Sequence, residues 1–177
     1  PVLWQERQQI LGEEIIAFMN DSTMDSVQVN RQALTVEMLD SVHYNQIAGM
    51  FMHMYFNDGK IRQTYVERNV YLNYYPYDDD SLMIGMNYTE TSEVRMFFTP
   101  EQKVDRIWMP AAEGTLYPLT MIPPDKFYLD NFAWLDYMRP RDKDDIFNWV
   151  PKHADAVLKE TVLRQPPLQS LDRFKKE

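Results

Sequence analysis

The sequence predicts a mainly β protein built from stacked antiparallel strand repeats, and three observations lead to that fold class. Apolar and polar residues alternate in runs of strand length, polar turns separate these runs, and one strand-turn-strand plan recurs along the chain. Asp58-Gly59 is the strongest hairpin signal, because glycine adopts the positive φ that tight hairpins need. Apolar residues make up 45% of the 177 residues, which is enough for a buried core.

The repeats define the strands in chain order. Setting Gly12 on Gly49 aligns GEEIIAFMND with GMFMHMYFND, and SEVRMFF (92–98) then aligns with MFMHMYF (50–56). Residues 3–19 can also be drawn as one helical face, although a glycine in the middle costs a helix about 1 kcal/mol. The alignment of this segment with the later copies favours strands.

One strand face is apolar in all three aligned copies, and we call it the apolar stripe. It consists of Ile15, Ala17, Met19, Met52, Met54, Phe56, Val94, Met96 and Phe98. One interpretation is an ordinary sandwich core. The other is the lining of a groove for a long apolar ligand, because methionine is unbranched and polarizable and adapts to irregular apolar surfaces.

The character of the sequence changes near residue 119, which bounds a predicted β-repeat domain at 1–118. Residues 119–150 lack alternation and are rich in proline and aromatic residues, so they predict an irregular or partly helical cap on the sheet. Residues 151–177 predict a short helix over 152–164, ended by Pro166-Pro167, and a loose tail.

Composition argues against several classes of partner. The net charge of −9 is unsuited to nucleic acid, which requires a basic face, and to simple docking on anionic lipid headgroups. There is no cysteine for a disulfide framework or a thiolate metal site. No run approaches the ~18 apolar residues of a membrane helix.

Candidate catalytic groups are few. His43 and His53 lack an evident third metal ligand, and 78–80 (Asp-Asp-Asp) lacks the ligand spacing of a calcium loop and is predicted to be a solvated turn. Glu90 and Glu93 form a possible carboxylate pair without a cleft to define it. No nucleophile elbow or phosphate loop occurs. We therefore expect a non-enzymatic protein without catalytic residues, cofactor or metal.

The repeats resemble those of OstA-like proteins, relatives of the LptA-type periplasmic proteins of lipopolysaccharide transport. The resemblance lies in QILGEEIIAFMND, NQIAGMFMHMYFNDGKIRQTYVERNVYLNYY, IGMNYTETSEVRMFF, KVDRIWM, GTLYPLTMIPP and FAWLDYMRPRDKDDIF, and it covers most of residues 3–148. It implies a stacked antiparallel β-jellyroll whose apolar interior holds acyl chains, with domains joined end to end. It also implies a periplasmic location in the bacterial envelope, a part in outer-membrane biogenesis and no catalytic residues. Residues 119–177 and the acidity depart from the small bridge proteins.

Two functional hypotheses follow. The first is a lipid-binding or bridging module whose partners are lipopolysaccharide or another lipid and other OstA-like β-repeat domains, stacked by edge strands such as the one predicted at residues 2–10. The second is a glycan-binding or scaffolding β-domain without lipid, with Trp4, Trp108, Trp134 and exposed tyrosines as sugar platforms. The apolar stripe should be open in the first case and sealed in the second.

Overall fold

A computed structural model of the protein describes residues 1–5 and 7–145, and their fold is one open antiparallel sheet of nine strands. The strands are β1 (Val2–Gln5), β2 (Gln8–Leu11), β3 (Glu14–Asn20), β4 (Thr23–Met38), β5 (Tyr44–Asn57), β6 (Lys60–Tyr74), β7 (Met86–Phe98), β8 (Val104–Trp108) and β9 (Glu113–Tyr117). Their order in the sheet is β1-β2-β4-β5-β6-β7-β8, with β3 also beside β4 and β9 also beside β7. The mainly β prediction is confirmed, and β1, β2 and β3 lie where residues 3–19 could also have been drawn as a helix.

The hairpins have the turn chemistry that the sequence predicts. Asn57 pairs with Lys60, and both residues between them, Asp58 (φ 51°) and Gly59 (φ 73°), have positive φ. Positive φ at both central residues matches the right-handed twist of the flanking strands. In the turn between β3 and β4, Asp21 also has a positive φ, of 47°. These two-residue turns fix the register of the long strands.

The repeat also appears in the backbone, as a bulge in each of two long strands. β4 is interrupted at Arg31-Gln32 (φ 60° and 51°) and β6 at Arg68-Asn69 (φ 64° and 54°). Gly12 and Gly49 lie beside these two bulges. A Cβ on Gly49 would lie 2.5 Å from Val66 Cγ1, so the close approach of the strands there requires glycine.

The main core contains residues from both sides of the bulges. On β4, Val27 and Val29 precede the bulge and Ala33 follows it, yet all three belong to one buried cluster. The other members are Ile10, Ile47, Met52, Met54, Ile61, Val66, Val70, Leu72, Val94 and Met96. The sheet therefore bends so that its two halves share one core.

A second, smaller core lies on the opposite face of the sheet. It joins Leu34, Val36 and Ala48 of the sheet to Leu129, with Phe132 and other aromatic residues packed against it. The part of the predicted cap that contains Leu129 belongs to a compact unit of residues 1–134, and a second unit spans 135–177.

The described part of the predicted cap is irregular, with two 3-10 turns at Leu119–Met121 and Asp136–Met138. No α-helix occurs in the described ranges 1–5 and 7–145. The helix predicted over 152–164 and the tail lie outside the described residues. The domain boundaries at 118 and 150 and the jellyroll remain predictions.

Candidate functional site

The apolar stripe lies in rows that cross the sheet. Paired positions place Ile15, Val29, Met52, Val66 and Val94 in one row, and Ala17, Val27, Met54, Thr64, Met96 and Ile107 in the next. Directly paired side chains lie on the same face of the sheet. The structure therefore brings these members of the stripe onto the face that packs in the main core, which we call the inner face. Phe56 and Phe98 pack against the same core.

Burial of the stripe changes from its middle to its ends. Met52, Met54 and Val94 are 0% exposed, whereas Met19 on the edge strand β3 is 61% exposed. Ala17 is also exposed, and Ile15 is half-buried. The stripe is thus sealed at its centre and accessible at the β3 edge.

The opposite end of the stripe is partly open. Phe98 and Ile107 are half-buried, and Val104 is exposed. A small cavity of about 60 Å³ lies here, between Met96, Phe98 and other side chains. Its volume is well below the roughly 300–1,000 Å³ of ligand pockets.

The solvent face behind the stripe carries stacked aromatic and basic side chains. The Arg95 guanidinium lies 4.8 Å from the centre of the Tyr65 ring and 5.2 Å from that of Trp108. The Tyr65 hydroxyl donates to Glu93 (2.7 Å) and Glu67 (3.1 Å). The hydrogen bond to Glu93 is the largest cause that raises the pKa of Tyr65 to about 12, followed by burial. These groups contact one another across three strands, β6, β7 and β8.

The three tryptophans predicted as sugar platforms occupy different environments. Trp4 and Trp134 pack edge to face with ring centres 5.4 Å apart. Trp108 is exposed on the solvent face beside Arg95. The structure therefore does not bring the three together into one platform.

Three buried amides attach the cap segment to the sheet. Gln9, Gln46 and Asn73 are 0% exposed and lie in one row across β2, β5 and β6. Gln9 Nε2 donates to the Ala133 carbonyl (2.6 Å), and Asn73 Nδ2 donates to that of Lys126 (2.9 Å).

Gln46 is the central amide of the row, and it is both a hydrogen-bond donor and an acceptor to the cap. Its Nε2 donates to the Phe127 carbonyl (3.1 Å), and its Oε1 accepts from the Leu129 N–H (2.9 Å). The sequence carries a signal for this row, because the shift that sets Gly12 on Gly49 also sets Gln9 on Gln46.

A cavity of about 440 Å³ opens between the sheet and the cap, which we call the cap cavity. The side chains of Tyr71, Tyr88 and Tyr128 line it, together with the bulge at Arg68-Asn69 and the backbone of Gly49. Its volume lies within the about 300–1,000 Å³ of ligand pockets. Sequence reasoning missed this cavity, because residues 125–131 of the cap contribute part of its lining.

Other candidate groups have structural partners. His43 bonds through Nδ1 to Asp40 (2.8 Å), and Asp78 Oδ1 accepts the N–H groups of Asp80 and Leu82 in an exposed turn. Glu90 accepts the hydroxyl of Tyr88. Within the part of the chain that the structure describes, no three His, Asp or Glu side chains cluster as metal ligands.

The Asp40 carboxylate closes the turn between β4 and β5. Its Oδ1 accepts the N–H groups of Val42 and His43, both at 2.8 Å. The side-chain hydrogen bond from His43, followed by these backbone bonds, lowers the pKa of Asp40 from 3.8 to about 2.

This pKa predicts an acid-dependent contribution to stability. Because the folded pKa is depressed, the stabilisation is present above about pH 4 and is lost as the pH falls towards about 2. We expect Asp40→Asn to flatten the dependence of Tm on pH in that window, whereas Asp79→Asn should leave it unchanged. NMR titration of the Asp40 carboxyl checks the pKa directly, and a midpoint near 4 would contradict the assignment.

In the described residues these features define a mainly β protein with methionines in its main core and a cavity of ligand size under its cap. No helix in residues 1–5 and 7–145 is both long and apolar enough to cross a bilayer. A scan against protein-family models and searches of curated proteins and of solved structures found no match for this chain.

Proposed function

We propose that the protein is a non-enzymatic lipid-binding or bridging module of the bacterial periplasm, similar to the proteins of lipopolysaccharide transport. One observation carries the proposal: the apolar stripe crosses the sheet and is accessible at the β3 edge and near β8. Acyl chains would enter the apolar interior at these ends, and other β-repeat domains would continue it.

The β3 edge supports the stacking part of the proposal. Among the described strands β3 pairs with β4 alone, so its other side offers backbone N–H and C=O groups to an incoming strand. Ile15 and Ala17 belong to the same rows as Met52 and Met54. A strand added here would extend these rows and cover exposed apolar side chains.

The β8 end of the apolar stripe also supports stacking of modules. Ile107 on β8 ends the row that Ala17 begins on β3. If modules add head to tail, the β8 end of a row in one module would meet the β3 end of the same row in the next. This heterologous contact builds a filament or a bridge. The edge predicted at residues 2–10 is itself folded into the β1–β2 hairpin, with β1 outermost.

Affinity for lipid would come from apolar burial. The chain is acidic, so attraction to anionic headgroups does not contribute, and each Å² of apolar surface removed from water supplies about 25 cal/mol. Methionine side chains at the centre can rearrange around an acyl chain because each has three rotatable bonds.

The sealed centre favours the second candidate, a scaffolding β-domain without lipid cargo. Met52 and Met54 have no exposed surface, and the nearby cavity of about 60 Å³ is too small for a long chain. In this case edge stacking would be the whole function, with the stripe as its core.

Native mass spectrometry of the purified protein separates the two candidates. We expect co-purified lipid in the wild type and in Ile16→Asp, which alters the outer face of β3. Ala17→Asp, on the inner face, should lower lipid occupancy about tenfold, because a charge on the apolar path costs at least 1.4 kcal/mol. Absence of lipid from the wild type, or equal loss in both variants, would favour the scaffold.

A further inference from the structure

We propose that the cap cavity binds a neutral oligosaccharide. The cavity lies on the outer face of the sheet, under the cap, whereas the apolar stripe lies on the inner face. The proposal is therefore independent of lipid binding, and either can fail without the other.

The cavity has a rigid floor and an anchored rim. Gly49 contributes only backbone to the floor. A side chain at this position is excluded because its Cβ would lie 2.5 Å from Val66 Cγ1. The rim consists of cap residues 125–131, which are held to the sheet by Gln46 and Asn73. A site that is formed before the ligand arrives does not pay for loop ordering on binding.

Three tyrosines give the cavity its aromatic character. Tyr71 is 39% exposed, Tyr128 is similarly exposed, and Tyr88 is half-buried. Aromatic rings offer flat apolar faces, and the tyrosine hydroxyl adds a polar tip. Such rings pack against the C–H faces of pyranose rings while leaving the sugar hydroxyls free for polar groups.

The polar lining suits hydroxyl groups. The amides of Gln32, Asn69 and Asn131 can each donate and accept hydrogen bonds, and the exposed carboxylates of Glu90 and Asp130 are strong acceptors. A ligand with many hydroxyls matches this set, whereas an acyl chain would offer no hydrogen-bond partner to Asn69, Asn131 or Asp130.

The charges select against an anionic ligand. The cavity has two cations, Arg68 and Lys126, and three carboxylates, so its net charge is negative. Arg68 lies 5.3 Å from the centre of the Phe51 ring, and Lys126 Nζ lies 4.3 Å from that of Tyr88. Both cations are thus already placed over aromatic faces. A neutral sugar meets no repulsion here, unlike a phosphate or a sialic acid.

NMR titration of the ¹⁵N-labelled full chain tests the proposal. The probes are maltohexaose, cellohexaose and chitohexaose, with sialyllactose as the anionic comparison. We expect at least one neutral hexasaccharide to shift the amide signals of Gly49, Asn69 and Asn131, and to bind at least tenfold more tightly than sialyllactose.

Matched tyrosine variants identify the surface. Tyr71→Ala should weaken the affinity for the hexasaccharide at least tenfold, because it removes one ring of the cavity. Tyr55→Ala should change it less than twofold, because this tyrosine is 46% exposed but lies outside the cavity. The proposal would be overturned if no neutral probe shifts these amide signals at concentrations up to about 10 mM, which is above the about 1 mM Kd of weak binding. Tighter binding of sialyllactose, or equal losses in the two variants, would also overturn it.

Discussion

Met54→Asp is expected to unfold the protein at room temperature. Met54 is 0% exposed and lies between Val27 of β4 and Thr64 of β6 in the centre of the apolar stripe. An aspartate there would be either an unpaired buried charge or a buried protonated acid, and the loss should exceed about 4 kcal/mol. That is a large part of the roughly 5–15 kcal/mol that stabilises a typical domain.

Circular dichroism and thermal denaturation measure this effect, and two variants serve as controls. Met54→Leu keeps the volume and the apolar character, so it should cost less than about 1.5 kcal/mol. Met121→Asp makes the same chemical change at a methionine that is 70% exposed, and it should leave Tm nearly unchanged. A folded Met54→Asp protein with wild-type Tm would show that the β5 register is wrong.

The β strands were predictable from the sequence because their signals are local. Alternation assigns each residue to a face, and a turn such as Asp58-Gly59 fixes which positions are paired. The alignment of Gly12 with Gly49 also located two equivalent sites in the folded chain, since each glycine lies beside a bulge of the neighbouring strand.

The bulges themselves were not predictable from residue types. Arg31-Gln32 and Arg68-Asn69 have positive φ, although only asparagine in these pairs favours that conformation. A left-handed residue costs about 1–2 kcal/mol, so the bend of the sheet and its shared core must compensate for it. That compensation arises only once distant strands have packed together.

The exposure of each side chain along the apolar stripe was likewise not predictable from the sequence. Ala17 and Met54 occupy the same row, and alternation treats them alike. Ala17 is exposed because β3 is an edge strand, whereas Met54 is buried because β5 lies in the interior of the sheet. Position in the sheet depends on the whole topology rather than on either strand.

The buried amides show the same limit for polar residues. In an antiparallel strand a glutamine normally indicates the solvent face. Gln46 is buried because its partner, the Phe127 carbonyl, comes from a segment 81 residues away in the chain. The cap thus converts part of a predicted surface into an interior.

Gln46→Glu is therefore expected to release the cap from the sheet. The substitution keeps the acceptor for the Leu129 N–H but replaces the donor to the Phe127 carbonyl with an oxygen. If that oxygen is ionised, a buried negative charge faces a carbonyl, and the expected loss is about 3 kcal/mol or more. Hydrogen exchange of residues 123–134 should accelerate at least tenfold relative to β5 and β6.

Gln28→Glu makes the same change at a half-buried position of β4 and should leave cap exchange unchanged. Unaltered cap protection in Gln46→Glu would mean that the apolar contacts of Leu129 and Phe132 hold the cap without the amide row. Because residues 125–131 form the rim of the cap cavity, a released cap should also abolish the shifts caused by a neutral hexasaccharide. Lipid occupancy should persist in the same variant, since the apolar stripe lies on the other face of the sheet.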